Sequence, residues 1–219
     1  MNGVHDMGGM HCFGEVDLDD EDTLFHEKWE KQVLALTLAM GATGTWNIDQ
    51  SRSARESLPA PFYLSAGYYR IWLAALENLL VHHALVDPAE LQSGVCTTPA
   101  ATVQRVLLAD DVRAALAAGS SSVRETSSQP QFDVGAEVVV RNLHKASHTR
   151  LPAYIRQRRG RVARVHGCHV FADDSSQGKP DQSQWLYNVR FENTELWGEQ
   201  AQHGFVHVDC WESYLEPAT

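Results

Sequence analysis

The chain has 219 residues and a mass of 24.4 kDa, which suits one large domain or two small ones. Its 18 Lys and Arg against 28 Asp and Glu give a formal charge of -10, which argues against whole-surface attraction to nucleic acid or an anionic membrane. No apolar run approaches the roughly 18–20 residues of a membrane span. The hydrophobic content of 43% and charged content of 21% are ordinary for a soluble globular chain.

Cys12, Cys96, Cys168 and Cys210 lie far apart, and no two form a C-x-x-C pair, so the zinc-ribbon and thioredoxin readings fail. The opening residues show neither a basic patch nor an apolar h-region. Four reduced thiols in a cytoplasmic protein are the expectation.

Residues 1–22 read as an extended, irregular arm. Gly3, Gly8, Gly9 and Gly14 oppose a helix, and residues 15–22 are strongly acidic. Phe13 and Val16 give the arm a little to bury. From Thr23 to Met40, Phe25, Trp29, Val33, Leu36 and Met40 recur at helical spacing, and Gly41 and Gly44 end the run. Asp49 reads as the N-cap of a short helix through Leu58, halted by Pro59 and Pro61. From Tyr63 to Val86, Tyr69, Trp72, Leu73, Leu76, Leu79, Leu80 and Leu85 make the strongest apolar face. An Ala-rich helical segment is predicted from about Pro99 to Ala118.

Ser- and Gly-rich sequence over 119–131 reads as a linker. Beyond it the period changes. Phe132, Val134, Val138 and Val140 alternate with polar residues, as do Val162 and Val165, Val189 and Phe191, and Val206 and Val208. Short alternating runs broken by Gly, Pro and Asp predict a small antiparallel barrel. The expected organisation is therefore an arm (1–22), a helical domain (23–118), a linker (119–131) and a β domain (132–219), an α+β chain overall.

Eight basic residues, Arg141, Lys145, Arg150, Arg156, Arg158, Arg159, Arg161 and Arg164, have no acid among them. They form either an anion site or a solvated loop and strand. The anion could be RNA phosphate, although Tyr154 alone offers a stacking ring, or a negative group on a partner protein gripped by guanidinium forks. His166-Gly167-Cys168-His169 carries metal-capable groups, but neighbours on a strand face opposite ways. A buried Cys with two surface His is the plainer reading. Asp173-Asp174 falls in an apparent loop and reads as solvated. Of the adjacent Tyr68 and Tyr69, only one can point inward along a helix, leaving one phenol for a pocket or interface. No G-x-S-x-G elbow or Gly-rich phosphate loop occurs, so the chain alone lacks a complete active site.

Several segments together resemble the nitrile hydratase beta-subunit family. They include Met1-Asn2-Gly3-Val4-His5-Asp6-Met7-Gly8-Gly9, Phe25-x-x-x-Trp29-Glu30, Tyr68-Tyr69 with Trp72, and Leu76-Glu77-Asn78-Leu79-Leu80-Val81. In the second half they include Phe132-x-Val134-Gly135, His148-Thr149-Arg150-x-Pro152-x-Tyr154-x-Arg156, Glu195-Leu196-Trp197-Gly198 and Asp209-x-Trp211-Glu212-x-Tyr214-Leu215-Glu216-Pro217. The matches are collinear over nearly the whole chain.

The resemblance implies an SH3-like β-barrel in the second half and a hydro-lyase that turns nitriles into amides. It implies that an alpha subunit, in an αβ heterodimer and expectedly α2β2, holds a non-haem Fe(III) or non-corrin Co(III) ion through cysteine thiolates, two of them oxidised. This chain would bind no metal. Buried anionic sulfur oxygens need charge-assisted donors, and arginine supplies them as a permanently charged planar fork. The family's two arginines of this kind match Arg52 and Arg150. Ile48, Tyr68 and Trp72 match residues lining its substrate cavity for small nitriles. Departures are Ala146-Ser147 before the His, Gln157 for a common Gly, and Ser51 where a bulkier apolar residue is frequent. Two alternatives are a thiocyanate hydrolase subunit, a relative split over two polypeptides, and an RNA-binding SH3-like barrel module. A maturation protein of the same family would resemble the first half only.

Overall fold

The computed structural model describes residues 2–14 and 23–218. The acidic run over 15–22, with the burial expected of Val16, lies outside the described residues. The chain divides into two compact units. One runs from Met10 to Gly119, and the other joins the residues up to Gly9 to those from Ser120 onward. No helix among the described residues is long and apolar enough to cross a membrane.

The first unit is helical. Helix α1 spans Lys28–Ala42, later than the predicted start, because Glu27 and Glu30 form a capping box there. It also runs through Gly41. Helix α2 spans Ile48–Glu56. Its N-cap is Asn47 rather than Asp49. Asn47 Oδ1 accepts from the amides of Asp49 (3.0 Å) and Gln50 (2.9 Å), and Gln50 Oε1 accepts from the Asn47 amide at 2.9 Å. The predicted Tyr63–Val86 helix is two helices, α3 (Ala60–Ser65) and α4 (Tyr68–His82), because Ala66 and Gly67 are extended between them.

Helix α5 (Pro88–Ser93) was not predicted, although Asp87-Pro88-x-Glu90 is a capping box and Gly94 closes it in the left-handed region at φ 69°. The segment 99–118 is helical only at its end, as a 3₁₀ turn and helix α6 (Val112–Ala118). Alanine favours helix, but Pro99, Thr97, Thr98 and Thr102 oppose it, and Val106 and Leu108 find nothing to pack on within the unit. The core is small. Val33, Trp46, Leu58, Ala75, Leu76 and Leu79 are buried, whereas Leu36 is 52% exposed.

The second unit is a five-stranded antiparallel sheet. Strands β1 (Glu137–Val140) and β2 (Arg159–Val170) are followed by the one-turn helix α7 (Ala172–Ser175). Then come β3 (Ser183–Glu192), α8 (Asn193–Trp197), β4 (Phe205–Trp211) and β5 (Leu215–Pro217). The strand order is β4-β3-β2-β1-β5, and β4 and β5 are the edges, so the ladders do not close the sheet. Phe132 and Val134, expected to open the first strand, precede it. Phe132 is nonetheless buried and Val134 is 64% exposed.

Register shifts between Val162 and Arg164 and between Val165 and Gly167 bend the long β2–β3 ribbon. One core lies inside the bend, built on Val138, Val140, Ile155, Tyr187, Val189 and Phe191. Gly160 is required there. A Cβ on it would meet Val189 Cγ1 at 2.6 Å and Phe191 Cε1 at 2.8 Å. The stretch before the sheet is attached to it. Val123 bridges His169, and the Gln131 amide donates to Tyr187 Oη at 3.0 Å and Glu212 Oε2 at 2.9 Å.

Candidate interface site

Ile48 and Arg52 stand one turn apart on α2, and Tyr68 and Trp72 one turn apart on α4. Arg52 Nη1 donates to Asp49 Oδ1 at 3.3 Å, and the Arg52 side chain is 43% exposed. Its acid partner is thus the buried Asp49, three residues earlier on the same helix. Ile48 and Tyr68 are exposed, at 60% and 63%. The Tyr68 ring packs on Trp72 at 5.3 Å, while Tyr69 turns inward to stack on Phe25 at 5.3 Å. Tyr68 is therefore the phenol left facing outward.

Between the two helices sits a residue that the sequence did not single out. Arg55 Cζ lies 4.0 Å from the centroid of the Trp72 ring, and Arg55 Nη2 donates to Ser51 Oγ at 2.8 Å. Burial lowers the Arg55 pKa from its ordinary value, and the charge of Arg52 adds to that shift. Ser51 is buried, so its hydroxyl anchors Arg55. The crevice among Ser51, Arg55, Trp72 and Leu76 has no room for a water molecule. Neither Ile48 nor Tyr68 lines it. Both side chains lie exposed outside it.

In the sheet unit, Arg150 lies in the loop between β1 and β2. This loop is braced from two sides. The opening residues fold onto it. Asp6 Oδ2 accepts from the Ala153 amide at 2.8 Å, Asn2 Nδ2 donates to the Lys145 carbonyl at 2.6 Å, and Arg156 Nη1 donates to Asn2 Oδ1 at 2.8 Å. Gly8 and Gly9 press on Tyr154 and Trp197, where a Cβ would approach to 2.7 Å. From below, Tyr214 Oη bonds Thr149 Oγ1 at 3.0 Å and accepts from the Arg150 amide at 3.2 Å.

The same hydroxyl donates to Asp173 Oδ1. Asp173 is fully buried, and its Oδ2 is ion-paired with Lys145 Nζ at 2.6 Å. The solvated reading of Asp173 is therefore overturned. A carboxylate cannot remain without water unless donors replace it, and here Tyr214 and Lys145 do. Burial raises the Tyr214 pKa above the ordinary phenol value, and Asp173 beside it adds to the shift.

Arg150 borders an open cavity of about 570 Å³, with His5, Asp6, Tyr154, His207 and Trp211 on its wall. Two of these residues carry buried polar atoms, Asp6 Oδ1 and Trp211 Nε1, with no hydrogen-bond partner among the described residues. Burial raises the Tyr154 pKa, and Cys210 and Asp6 add to the shift.

The rest of the basic stretch is partly engaged. Arg141 Nε donates to the Leu215 carbonyl at 3.1 Å, and Arg161 pairs with Glu137 at 2.7 Å. Arg156 is buried against Asn2, His144 and the Leu151 carbonyl. A continuous phosphate-binding stripe does not result.

Cys168 is buried, while His166 bonds Asp209 (3.0 Å) and His169 bonds Ser122 (3.0 Å). Among the described residues no group of three or more His, Cys, Asp or Glu is placed to hold a metal ion. These residues do not fit a metal centre of their own, so no chemical step through a metal is assigned to them. The Gln157 that replaces a common Gly has φ 61°.

Comparison with known proteins gives one family over the whole chain. The family model described as "Nitrile hydratase beta subunit, N-terminal" matches residues 1–116, and "Nitrile hydratase beta subunit, C-terminal" matches residues 121–217. The low-molecular weight cobalt-containing nitrile hydratase subunit beta of Rhodococcus rhodochrous is 36% identical over 228 residues, covering 100% of both chains. The nitrile hydratase subunit beta of Pseudomonas putida is 36% identical over 220 residues, also covering 100% of both. Thiocyanate hydrolase subunit alpha of Thiobacillus thioparus is 28% identical over 91 residues, covering 40% of this chain and 72% of its own.

Proposed function

Since this chain belongs to the nitrile hydratase beta-subunit family, we propose that it is the non-metal subunit of an enzyme that hydrates nitriles to amides, active only in complex with an alpha subunit. The metal, iron or cobalt, is held by that partner. The R. rhodochrous relative is named as cobalt-containing. When bound there, the metal supplies Lewis-acid activation for the hydration. The complex is α2β2 and cytoplasmic. Four free thiols fit a reducing compartment.

Arg52 and Arg150 are the residues of this chain that act. They donate charge-assisted hydrogen bonds to the oxidised cysteine oxygens of the partner and hold those ligands in place. The observation that carries this is the pair of braces behind them. Arg52 is tied to the buried Asp49, and the Arg150 backbone is tied to Tyr214. The Arg52 guanidinium and the Arg150 backbone are thereby braced, each on its own unit, as donors to a buried anion need to be.

Ile48, Tyr68 and Trp72 form one wall of the substrate cavity. An exposed isoleucine on α2 and, on α4, an exposed tyrosine packed on a tryptophan suit a small, weakly polar nitrile once the partner closes over them. The helical region 23–118 docks on the alpha subunit. Leu36, Leu64, Val106 and Leu108, each at least 52% exposed, support this. The sheet is an SH3-like barrel. A single enclosed core and two bulges that curl β2 support that assignment.

The test is Arg52→Lys and Arg150→Lys in the co-expressed complex. Each lowers nitrile hydration by about 10²-fold or more, the loss seen when a preorganised anion donor is removed, while the complex still assembles. Near-normal turnover in both overturns the assignment. Thiocyanate hydrolysis is the competing activity. A T. thioparus match that covers only 40% of this chain disfavours it, and parallel assays on nitrile and thiocyanate decide.

A further inference from the structure

Resting on the reading of Arg150 above, we infer that Tyr214, together with Asp173, Lys145 and Thr149, is a positioning unit for Arg150. Its hydroxyl is the junction that fixes where that arginine's backbone stands. Three elements converge on this junction. Asp173 comes from α7, Tyr214 from the 3₁₀ turn Glu212–Tyr214, and Thr149 and Arg150 from the loop between β1 and β2. Asp173 and Tyr214 are fully buried and Thr149 nearly so.

The direction of every bond is forced. A carboxylate paired with the Lys145 ammonium has only acceptor capacity, so the Tyr214 hydroxyl spends its one proton on Asp173. Its lone pairs then remain as acceptors. The Arg150 amide fills one, at 3.2 Å, and the Thr149 hydroxyl can fill the other only by donating, at 3.0 Å. Thr149 Oγ1 in turn accepts from the Leu151 amide at 3.4 Å.

The phenol thus holds Thr149 and Arg150 directly, and Leu151 through the Thr149 hydroxyl. The phenol is kept in place by ring contacts to Phe171 (5.8 Å) and Trp211 (5.9 Å), and Lys145 Nζ lies 4.9 Å from the Phe171 centroid. A buried network in which the direction of each hydrogen bond is fixed favours one arrangement. A guanidinium that must meet a partner's anion within a fraction of an ångström needs that uniqueness at its root.

A purely structural tyrosine would also be buried and bonded, so the test must separate support of Arg150 from support of the fold. Tyr214→Phe keeps the ring and removes the junction, and Thr149→Val removes one arm at nearly constant shape. Each is made in the full complex, alone and combined with Arg150→Lys. The expected result is a fall in kcat of about 10–100-fold for Tyr214→Phe, the scale set by misplacing a catalytic group by about 1 Å, with KM within about threefold. A smaller fall in the same direction is expected for Thr149→Val.

On the Arg150→Lys background the Tyr214→Phe effect shrinks to near nothing, since residues acting as one unit are non-additive. Amide exchange at Arg150 and Leu151 rises roughly tenfold in Tyr214→Phe while the amides of β3 stay protected. The same fold-loss on both backgrounds, or unchanged exchange at Arg150 and Leu151, overturns the inference. Wild-type turnover in Arg150→Lys alone instead overturns the role of Arg150, and it does so before Tyr214 is touched.

Discussion

The guanidinium of Arg55 lies face-on to Trp72, its Cζ 4.0 Å from the ring centroid, and is held there by the Ser51 hydroxyl at 2.8 Å. The contact fastens α2, which carries Arg52 and Ile48, to α4, which carries Tyr68 and Trp72. A half-desolvated cation over an indole is worth about 0.5–2 kcal/mol, and the apolar stem of arginine adds packing. Arg55→Ala therefore lowers the stability of the helical unit by about 1–2 kcal/mol, read as a shift in the denaturant midpoint. Because the same change frees the Trp72 face, the KM for nitriles rises more than kcat falls. An unchanged KM together with a lower midpoint would confine Arg55 to the fold. Arg55→Lys recovers part of the stability and little of the ring contact, since ammonium lacks the planar face.

No local signal in the sequence marks Arg55. On a helix of nine residues with a polar composition, helical spacing pairs Arg52 with Asp49 or Glu56 and gives Arg55 no acid at all. The ring that selects Arg55 lies on another helix, 17 positions away. Local signals were readable where they were local. The alternation of Val138 and Val140, and of Val189 and Phe191, marks β1 and β3 because one face of each meets the core. The Asp87-Pro88-x-Glu90 and Gly94 signature of α5 is equally local, a capping box closed by a left-handed glycine.

The burial of Asp173 depends on residues distant in sequence. An Asp-Asp pair after a strand reads as solvated unless a cation and a phenol from 28 and 41 positions away are known to converge on it. Arg52 and Arg150 were found only through the family resemblance. Neither has a spacing that marks it, because the anion each would bind belongs to another polypeptide.

Gln157 holds a left-handed backbone, φ 61°, with its amide donating to the Val140 carbonyl at 2.8 Å. A side chain there costs about 1–2 kcal/mol, and glycine would give back about 0.5–1 kcal/mol of that in unfolded-state entropy. Gln157→Gly therefore stabilises the sheet unit by about 0.5–1 kcal/mol. Its exposed side chain makes the comparison clean. Thermal melts of the two chains check this, and a lower melting temperature for the glycine variant would mean that the Gln157 side chain contributes a contact of its own.

Glu90 supplies the pH-dependent element of the helical unit. Its carboxylate accepts from the amides of Asp87 (2.9 Å), Thr97 (2.6 Å) and Thr98 (2.8 Å) and from the Thr98 hydroxyl (2.9 Å). These donors, the Asp87 amide first, lower its pKa from 4.5 to about 2. The sign follows from linkage. The folded state binds the proton less readily than the unfolded chain, so the contribution is complete above about pH 4.5 and is lost as pH falls through about 2. Glutamine cannot replace it, because one of its two terminal atoms is a donor facing amides that must themselves donate. Glu90→Gln consequently loosens the 87–98 segment at pH 7. The gap between wild type and variant narrows as pH is lowered from 4.5 toward 2, where protonated glutamate is no better an acceptor than the amide. Amide exchange at Thr97 and Thr98, followed in both proteins across that range, measures the gap directly, and a gap that stays constant down to pH 2.5 would remove Glu90 as the titrating group.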